Sequence, residues 1–501
     1  MKKYIFPAIA TALFASAAGA GNSTVSTIDD LVSALSKASN GDVVTLVAGT
    51  YSPMSPIEVN AANVTLVSAG GKAVTIIDGN ASGRILRVMG SGFRVEGITF
   101  QNAHIASNGG AIKVEGENAV ATLKIVDCDF INCSAKYGGA IDAVNEDYNS
   151  FAGREQYGLV SGCTFRECMA TNSEMWCGGG AINGALWIED STFDDCRSNE
   201  ARHGHAAIAV SGYTTVTNCV FANHKATVKG LVGTGRNPFN NTYPNGKTRV
   251  IDCQIVNSTF VGSGDALFDS KVLLDRCVIS NTASTVANSI PALYNSPSSN
   301  ASEARITSCL FVDNGCPFKT SSMPPVENCT FVRNVGGLAC DSVTTPILMT
   351  NCVFWANVEK TDWPYGASYK GVPGLYWHPS IHLANFVQVG NTVIEGGTAD
   401  ANADVAEVLA TDDSGNSTAL TAAAAADPKG AGFKDAANGD WSLKRSSVLV
   451  DAGAWADWMD SARDIAGNRR CLKKGLVKDG ALPDIGCYEF CAVAGFKISL
   501  R

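Results

Sequence analysis

The sequence predicts an all-β fold, a right-handed parallel β-helix, and three observations lead to this prediction. A four-residue motif that ends in Phe recurs along the chain at intervals of 20 to 51 residues. Between the copies Gly, Pro, Asn and Ser cluster, and no copy is followed by the roughly 10 to 15 residues of helical periodicity that a strand–helix–strand unit needs. In most copies Cys and Phe lie two residues apart, so they share one face of a strand. The motif ends at Phe100, Phe130, Phe165, Phe193, Phe221, Phe260, Phe311, Phe331 and Phe354.

The N-terminal edge of such a solenoid needs a cap over its exposed strand backbone. Residues 26–37 predict a capping helix, with Ser26 as its N-cap and apolar side chains on one face. Those apolar residues are Ile28, Leu31, Val32 and Leu35. The segment 41–51, GDVVTLVAGTY, then predicts the first pair of strands.

The repeats that follow predict stacks of like side chains, because parallel strands wound with right-handed connections lie about 4.8 Å apart. Weaker copies of the motif at Cys253 and Cys277 extend the repeat to roughly a dozen turns. The sequence GGAI starts at Gly109, Gly138 and Gly179, and its paired glycines predict a tight corner into the next strand. A small polar residue follows six of the Phe residues by three positions. These residues are Cys133, Cys168, Cys196, Asn314, Asn334 and Asn357.

The capping helix, the GDVVTLVAGTY segment and the tandem repeats resemble the right-handed parallel β-helix proteins of the pectin-lyase-like group, over residues 24–396. The GGAI corners and the Phe-x-x-Asn spacing are similar to repeats of bacterial polymorphic outer-membrane proteins. Residues 431–501, with NGDWSL, DIAGNRR and PDIGCYE, resemble the choice-of-anchor-Q module of bacterial surface proteins. Residues 397–430 are rich in Ala, Asp, Gly, Ser and Thr and predict a linker. The resemblance implies the fold and leaves lyase, hydrolase, adhesin and scaffold functions open.

The first 20 residues predict export. Lys2 and Lys3 precede an apolar run from Tyr4 to Phe14, and small residues end the segment at Ala20, which is typical of a secretory signal peptide. The apolar run is too short to cross about 30 Å of hydrocarbon, and no later segment offers about 20 uninterrupted apolar residues. We therefore expect a secreted or cell-surface protein without a transmembrane span once the signal is removed.

The charge balance restricts the partners. Lys and Arg total 38 against 47 Asp and Glu, a net charge of −9, and no basic block is present. This balance argues against a nucleic acid or an anionic membrane held by charge. With 46% apolar and 17% charged residues the chain can bury a large core.

The 17 cysteines allow two interpretations in an exported protein. Nine fall on repeat positions, where stacking explains them, and are predicted to be buried thiols. Cys471, Cys487 and Cys491 lie off the repeat and are the better disulfide candidates. No cysteine or histidine spacing resembles a zinc site.

A catalytic hypothesis depends on one acidic segment. A polysaccharide lyase of this fold needs carboxylates that hold Ca²⁺ and an Arg or Lys that accepts the proton α to the carboxyl group. The segment 141–158 leaves a GGAI corner and carries Asp142, Glu146 and Asp147 close to Arg154. The alternative is a solvated acidic loop. The segment RHGHAA, Arg202 to Ala207, is interpreted as structural, because His205 to Ile208 align with the GGAI corners.

A binding hypothesis depends on aromatic residues that cluster after the last clear repeat. Rings of this kind pack on the flat faces of sugars, and their polar edges form hydrogen bonds. The alternative is a loop that covers the C-terminal end of the solenoid. The substrate-binding candidates are Trp363, Tyr365, Tyr369, Tyr376, Trp377 and His378.

Together these features predict an exported, monomeric cell-surface protein that presents a rigid face to a polysaccharide or another surface. No metal, nucleotide or redox cofactor is implied, and Ca²⁺ enters only if the protein is a lyase. An extracellular polysaccharide lyase or glycoside hydrolase is the alternative. A structural surface scaffold is the third interpretation.

Overall fold

A computed structural model describes most of the first 224 residues and shorter stretches of the remaining chain. The described residues are 21–144, 158–172, 179–199, 206–210, 214–224, 232–234, 248–251, 253–256, 259–260, 268–269, 272–284, 292–295, 305–315, 318–321, 325–340, 347–358, 370–372, 375–377, 387–390, 392–394, 431–470, 472–473, 476–477 and 482–491.

The protein is a right-handed parallel β-helix, as the sequence predicts. Successive turns contribute strands to three parallel sheets, which we call the long sheet, the ladder sheet and the groove sheet. Among the described residues the long sheet has 14 strands. They are Asn22–Val25, Val43–Leu46, Thr65–Ser68, Arg94–Glu96, Lys124–Val126, Gly158–Ser161, Leu186–Glu189, Thr214–Thr217, Thr248–Ile251, Val272–Asp275, Arg305–Thr307, Val326–Glu327, Ile347–Thr350 and Val387–Gly390.

The ladder sheet and the groove sheet have 13 and eight strands within the described ranges. The ladder sheet contains Gly49–Tyr51, Thr75–Asp78, Thr99–Gln101, Asp129–Ile131, Thr164–Arg166, Thr192–Asp194, Val220–Ala222, Gln254–Val256, Val278–Ser280, Leu310–Val312, Thr330–Val332, Val353–Trp355 and Val393–Ile394. The groove sheet contains Ile57–Val59, Leu86–Val88, Ile112–Val114, Ile141–Ala143, Ile182–Gly184, Ile208–Val210, Val232–Thr234 and Phe268–Asp269.

Shorter elements complete the described chain. A five-stranded sheet contains Ala292–Asn295, Phe318–Ser321, Leu338–Cys340, Lys370–Val372 and Leu375–Trp377. Small sheets pair Ser134–Ala135 with Met169–Ala170 and Arg197–Ser198, Thr259–Phe260 with Ala283–Ser284, Phe433–Asp435 with Asp440–Leu443, and Leu472–Lys473 with Leu476–Val477. The α-helices are Ile28–Ser36 and Glu117–Thr122, and the 3₁₀ helices are Ala436–Asn438 and Asp457–Asp460. No helix in these ranges is long and apolar enough to cross a membrane.

The predicted Phe stack runs through the interior along the ladder sheet. Successive rings from Phe100 to Phe221 lie parallel, with centroids 4.8 to 5.2 Å apart. The weaker motif copies keep the register, because Ile255 and Ile279 occupy the next two positions before Phe311. Phe260 lies outside the ladder sheet. It lies on a short strand that pairs with Ala283–Ser284, so its assignment to the repeat is wrong.

The position three residues after Phe is buried, as predicted. Asn334 donates from Nδ2 to Asn357 Oδ1 at 3.0 Å and accepts from Asn314 Nδ2 at 2.7 Å, which makes a hydrogen-bonded Asn stack. The nine repeat cysteines are buried, unbridged thiols, and this prediction is confirmed. Cys487 is also a buried thiol, so the disulfide prediction is wrong there, whereas Cys471 lies outside the described residues.

The N-terminal cap differs from its prediction in detail. The helix begins at Ile28 and its N-cap is Thr27, whose hydroxyl accepts from the Asp30 amide at 3.2 Å, so Ser26 is not the cap. Leu31 and Leu35 are buried against the first turns, while Val32 is 37% exposed. A strand, Asn22–Val25, precedes the helix and starts the long sheet.

The described part of residues 431–491 contacts the last turns of the β-helix. Asn351 binds the backbone of Ala454 through both side-chain atoms, at 2.7 and 2.8 Å. The Arg470 guanidinium donates to Ser308 Oγ at 2.8 Å, and the Cys487 amide donates to Thr330 Oγ1 at 3.0 Å. The boundaries at residues 20, 396 and 430 stay predictions, because residues 1–20 and 395–430 lie outside the described chain.

Candidate functional site

A row of polar side chains crosses the outward face of the groove sheet. Backbone pairing puts five residues of successive strands in register, and we call them the groove row. Its members are Glu58, Arg87, Lys113, Asp142 and Asn183. With strands about 4.8 Å apart, the row spans about 19 Å along the solenoid axis.

The alternation of side chains in each strand explains why the row faces outward. In the strand Ile112–Val114 the two flanking residues are fully buried in the core, so Lys113 between them points to the opposite face. The GGAI corner sets this phase, because its Ile begins the strand. Gly109 and Gly138 have φ values of 68° and 58°, and a Cβ at either position would lie 2.6 Å or less from a backbone oxygen.

Arg87 connects two carboxylates at the N-terminal end of the row. Its Nη1 donates to Glu58 Oε1 at 3.1 Å and its Nη2 to Glu115 Oε2 at 2.8 Å. The hydrogen bond from Arg87 lowers the pKa of Glu115, and the same contact raises the pKa of Arg87. Glu115 therefore remains a carboxylate and Arg87 a cation at neutral pH.

Asp142 is the buried centre of the row. Its side chain is fully enclosed, and Lys113 Nζ donates to Oδ2 while Asn183 Nδ2 donates to Oδ1. Lys113 is 11% exposed along its side chain, so the ammonium lies at the boundary between the buried carboxylate and the groove. The Asp142–Lys113 pair thus holds a cation at the surface of the sheet.

A second arginine forms the wall of the groove. Arg84 Nη2 donates to the Asn108 carbonyl at 2.6 Å and to Ser107 Oγ at 3.0 Å, and Nε donates to the Gly109 carbonyl at 3.1 Å. Burial lowers the pKa of this guanidinium, which nevertheless stays charged because arginine does not deprotonate in proteins. The groove between Arg84 and the row has a volume of about 640 Å³.

The groove combines cations with carboxylates. The described residues that line it include three cations and two carboxylates. They are Arg84, Arg87, Lys113, Glu58 and Glu115, and the buried Asp142 is paired with Lys113. Cations of this kind bind carboxylate or sulfate groups, and the carboxylates accept hydrogen bonds from hydroxyl groups. Among the described residues no three His, Cys, Asp or Glu side chains come together as a metal site.

One of the predicted catalytic residues, Asp142, lies at this site. Asp142 lies on the strand Ile141–Ala143 rather than in a loop, and it belongs to the groove row. Glu146, Asp147 and Arg154 lie outside the described residues. Of the aromatic candidates, Trp363, Tyr365, Tyr369 and His378 also lie outside, and Tyr376 and Trp377 are on the strand Leu375–Trp377, whose side chains are not described.

Sequence reasoning missed four members of the row and Glu115. A signal was present, because the residue after the Ile of each GGAI corner must face outward once that Ile is buried. Reading this position gives Lys113, Asp142 and Asn183 directly. Glu58 and Arg87 precede the first GGAI corner, so only the pairing of their strands reveals them.

No protein-family model matches the chain, and neither does any curated protein. Solved structures resemble it weakly. A mannuronic acid specific polysaccharide family 6 lyase from human gut microbiota is 12% identical, covers 77% of this chain and 90% of its own, and has a TM-score of 0.39. A PL6 alginate lyase in complex with a trisaccharide is 11% identical over 75% and 94%, with a TM-score of 0.38. Pectin methylesterase from Erwinia chrysanthemi is 12% identical over 53% and 90%, with a TM-score of 0.25. Likeness at this level carries no argument about activity.

Proposed function

We propose that the protein binds an acidic polysaccharide along the groove row. The observation that carries the proposal is the row itself: five consecutive turns present polar or charged side chains in register, and the following two turns present Ala209 and Gly233. A linear chain of sugars presents repeated acid and hydroxyl groups along a line. The row offers cations and hydrogen-bond acceptors along a line of about 19 Å.

Each charged group has a role in this proposal. Arg87 and Lys113 bind the acid groups of the ligand by exchanging part of their contact with protein carboxylates. Glu115 accepts hydrogen bonds from sugar hydroxyls, and Glu58 orients Arg87 through their ion pair. Asp142 stays buried and holds Lys113 in place through its ion pair.

We further propose that the protein is exported and acts at the cell surface as a monomer. The support for export is the signal-like composition of residues 1–20. A long lateral groove suits display outside the cell, where polysaccharides are accessible ligands.

A polysaccharide lyase is the second candidate, favoured by the position of Arg87 and Lys113 on neighbouring turns of the same face. β-Elimination needs one group to neutralise the uronate carboxylate and another to accept the α proton. In this candidate Arg87 is the group that neutralises the uronate carboxylate. Lys113 is already engaged by Asp142, which suits charge pairing with a ligand better than proton abstraction.

Binding is tested by retention of the purified protein on immobilised uronic and neutral polysaccharides. We expect selective retention on an acidic polysaccharide and a loss of affinity of about tenfold or more in the double variant Arg87→Ala, Lys113→Ala. Arg166→Ala, which removes an exposed arginine from the ladder sheet, is the matched control. Equal retention of the groove variant and the control contradicts the proposal.

The lyase candidate is tested in the same panel by ultraviolet absorbance of unsaturated uronate, with and without Ca²⁺, together with new reducing ends. Growth of absorbance that Lys113→Ala abolishes supports elimination. Reducing ends without absorbance support a hydrolase. Binding without either product supports a binding protein.

A further inference from the structure

The outward face of the long sheet carries a second row that differs in chemistry from the groove row. Strand pairing aligns five residues on consecutive turns, which we call the tryptophan face. They are Thr65, Arg94, Lys124, Leu159 and Trp187. In each of these strands the residue that follows the row member is fully buried, as Ile125, Val160 and Ile188 are. The row itself therefore faces outward.

Trp187 is 43% exposed, an uncommon state for the largest apolar side chain. It is nevertheless held in place, because its Nε1 donates to Glu189 Oε2 at 3.1 Å two residues along the same strand. The indole therefore presents a fixed ring to solvent next to the partly exposed Leu159.

Lys124 supplies charge to the same face. In the strand Arg94–Glu96 the basic residue is neutralised by the acid two positions later, at 2.5 Å. In the strand Lys124–Val126 that second position is Val126, so the compensating acid is missing. Within the described chain Lys124 makes no ion pair.

The row lines a depression of about 790 Å³. One wall is the end of the helix Glu117–Thr122, where Thr122 Oγ1 accepts from the Gly92 amide at 2.6 Å. Asn63 and Ser91 add polar side chains to the rim. Lys124 and Trp187 are two strands apart, about 10 Å, which matches a ligand of at least two sugar units.

We infer that the tryptophan face is a second binding site for an acidic oligosaccharide, separate from the groove. One sugar packs its CH face on the Trp187 ring, and an acid group of a neighbouring sugar binds Lys124. A neutral glycan has no acid group for Lys124 to bind, and an apolar protein surface would bury this cation without a partner. The exposed ring combined with the cation therefore favours an acidic oligosaccharide.

The test is calorimetry with hexamers of galacturonic, mannuronic and guluronic acid, and with maltohexaose as the neutral hexamer. It is carried out in wild type and in the groove double variant Arg87→Ala, Lys113→Ala, which isolates the second site. We expect the groove variant to retain one acidic hexamer. In that background Trp187→Ala weakens binding about tenfold, Lys124→Ala about threefold to tenfold, and Trp187→Phe less than Trp187→Ala, because a smaller ring still stacks.

Trp455→Ala is the matched control, because Trp455 is 47% exposed and lies in the C-terminal segment. Thermal unfolding of every variant verifies the fold. The inference is overturned if Trp187→Ala behaves like Trp455→Ala, if the groove variant binds no acidic hexamer, or if maltohexaose binds as tightly as the acidic hexamers. Trp187-dependent binding that is equal in wild type and the groove variant, with one site in each, supports the second site and contradicts the groove proposal.

Discussion

The Lys113–Asp142 pair of the groove and the Arg470–Glu489 pair beneath the C-terminal segment are both buried, but they face different surroundings. The guanidinium of Arg470 is fully enclosed, and it also donates to the carbonyl of Gly486 at 3.0 Å and to Ser308 Oγ at 2.8 Å. Lys113 borders an open groove. An enclosed cation can contact only protein groups, whereas a cation at the edge of a groove can also bind a ligand.

The enclosed pair joins distant parts of the chain. Ser308 belongs to the β-helix and lies 162 residues before Arg470, and the Asp484 carbonyl accepts from Asn328 at 3.0 Å across 156 residues. These contacts hold the C-terminal segment over the last turns, where an unprotected core would otherwise meet water. We therefore expect mutation of the enclosed pair to lower mainly stability, and mutation of the groove pair to lower mainly binding.

The largest effect is expected from Arg470→Met. This change leaves Glu489 buried without its cation, which costs about 3 to 5 kcal/mol of the free energy of unfolding. Chemical denaturation measures the loss, and Arg445→Met at an exposed position of the same segment is the control. A loss no larger than that of the control contradicts a structural role for the pair.

The C-terminal segment is also expected to make the stability of the protein depend on pH. Burial raises the pKa of Asp484 to about 8 and that of Glu489 to about 7, and Glu489 Oε2 accepts no hydrogen bond from the described residues. The folded state then keeps protons that the unfolded state has lost. The contribution of these two groups to stability is full below about pH 4 and is lost as pH rises toward 8, by at most about 1.4 kcal/mol per pH unit for each proton.

Asp484→Asn tests the origin of this slope. We expect the variant to reduce the loss of stability between pH 5 and 8.5, as followed by denaturation at both pH values. Binding to the groove, measured in parallel at a pH where both proteins are folded, stays unchanged. An unaltered slope assigns the pH dependence to other groups.

Lys113→Met is expected to destabilise less than Arg470→Met and to affect binding more. Asp142 keeps its hydrogen bond from Asn183, and the groove lets water reach the vacated space, so the cost is about 1 to 3 kcal/mol. Retention on an acidic polysaccharide should fall about tenfold. If Lys113→Met loses stability but no affinity, the groove pair is structural like its C-terminal counterpart.

How much of this could be predicted depends on whether a position repeats its residue type. The Phe and Asn stacks repeat the same residue type on successive turns, so a search along the sequence finds them. The groove row carries Glu, Arg, Lys, Asp and Asn in turn: the GGAI corners mark its last three positions in the sequence, whereas only strand register adds Glu58 and Arg87. The contact between Arg470 and Ser308 joins segments 162 residues apart, and no local pattern encodes such a pairing.

The smallest effect is expected from Glu58→Gln at the open end of the groove row. Its ion pair with Arg87 is 3.1 Å long, with both side chains more than a third exposed, so solvent screens it and its loss costs little stability. Arg87 keeps Glu115 as its partner and gains capacity for a ligand acid group. We therefore expect affinity for an acidic polysaccharide to stay equal or to rise slightly, with stability nearly unchanged in denaturation. A loss of affinity as large as that of Lys113→Met would mean that Glu58 binds the ligand itself, and that the carboxylates of the row contribute as much to recognition as its cations.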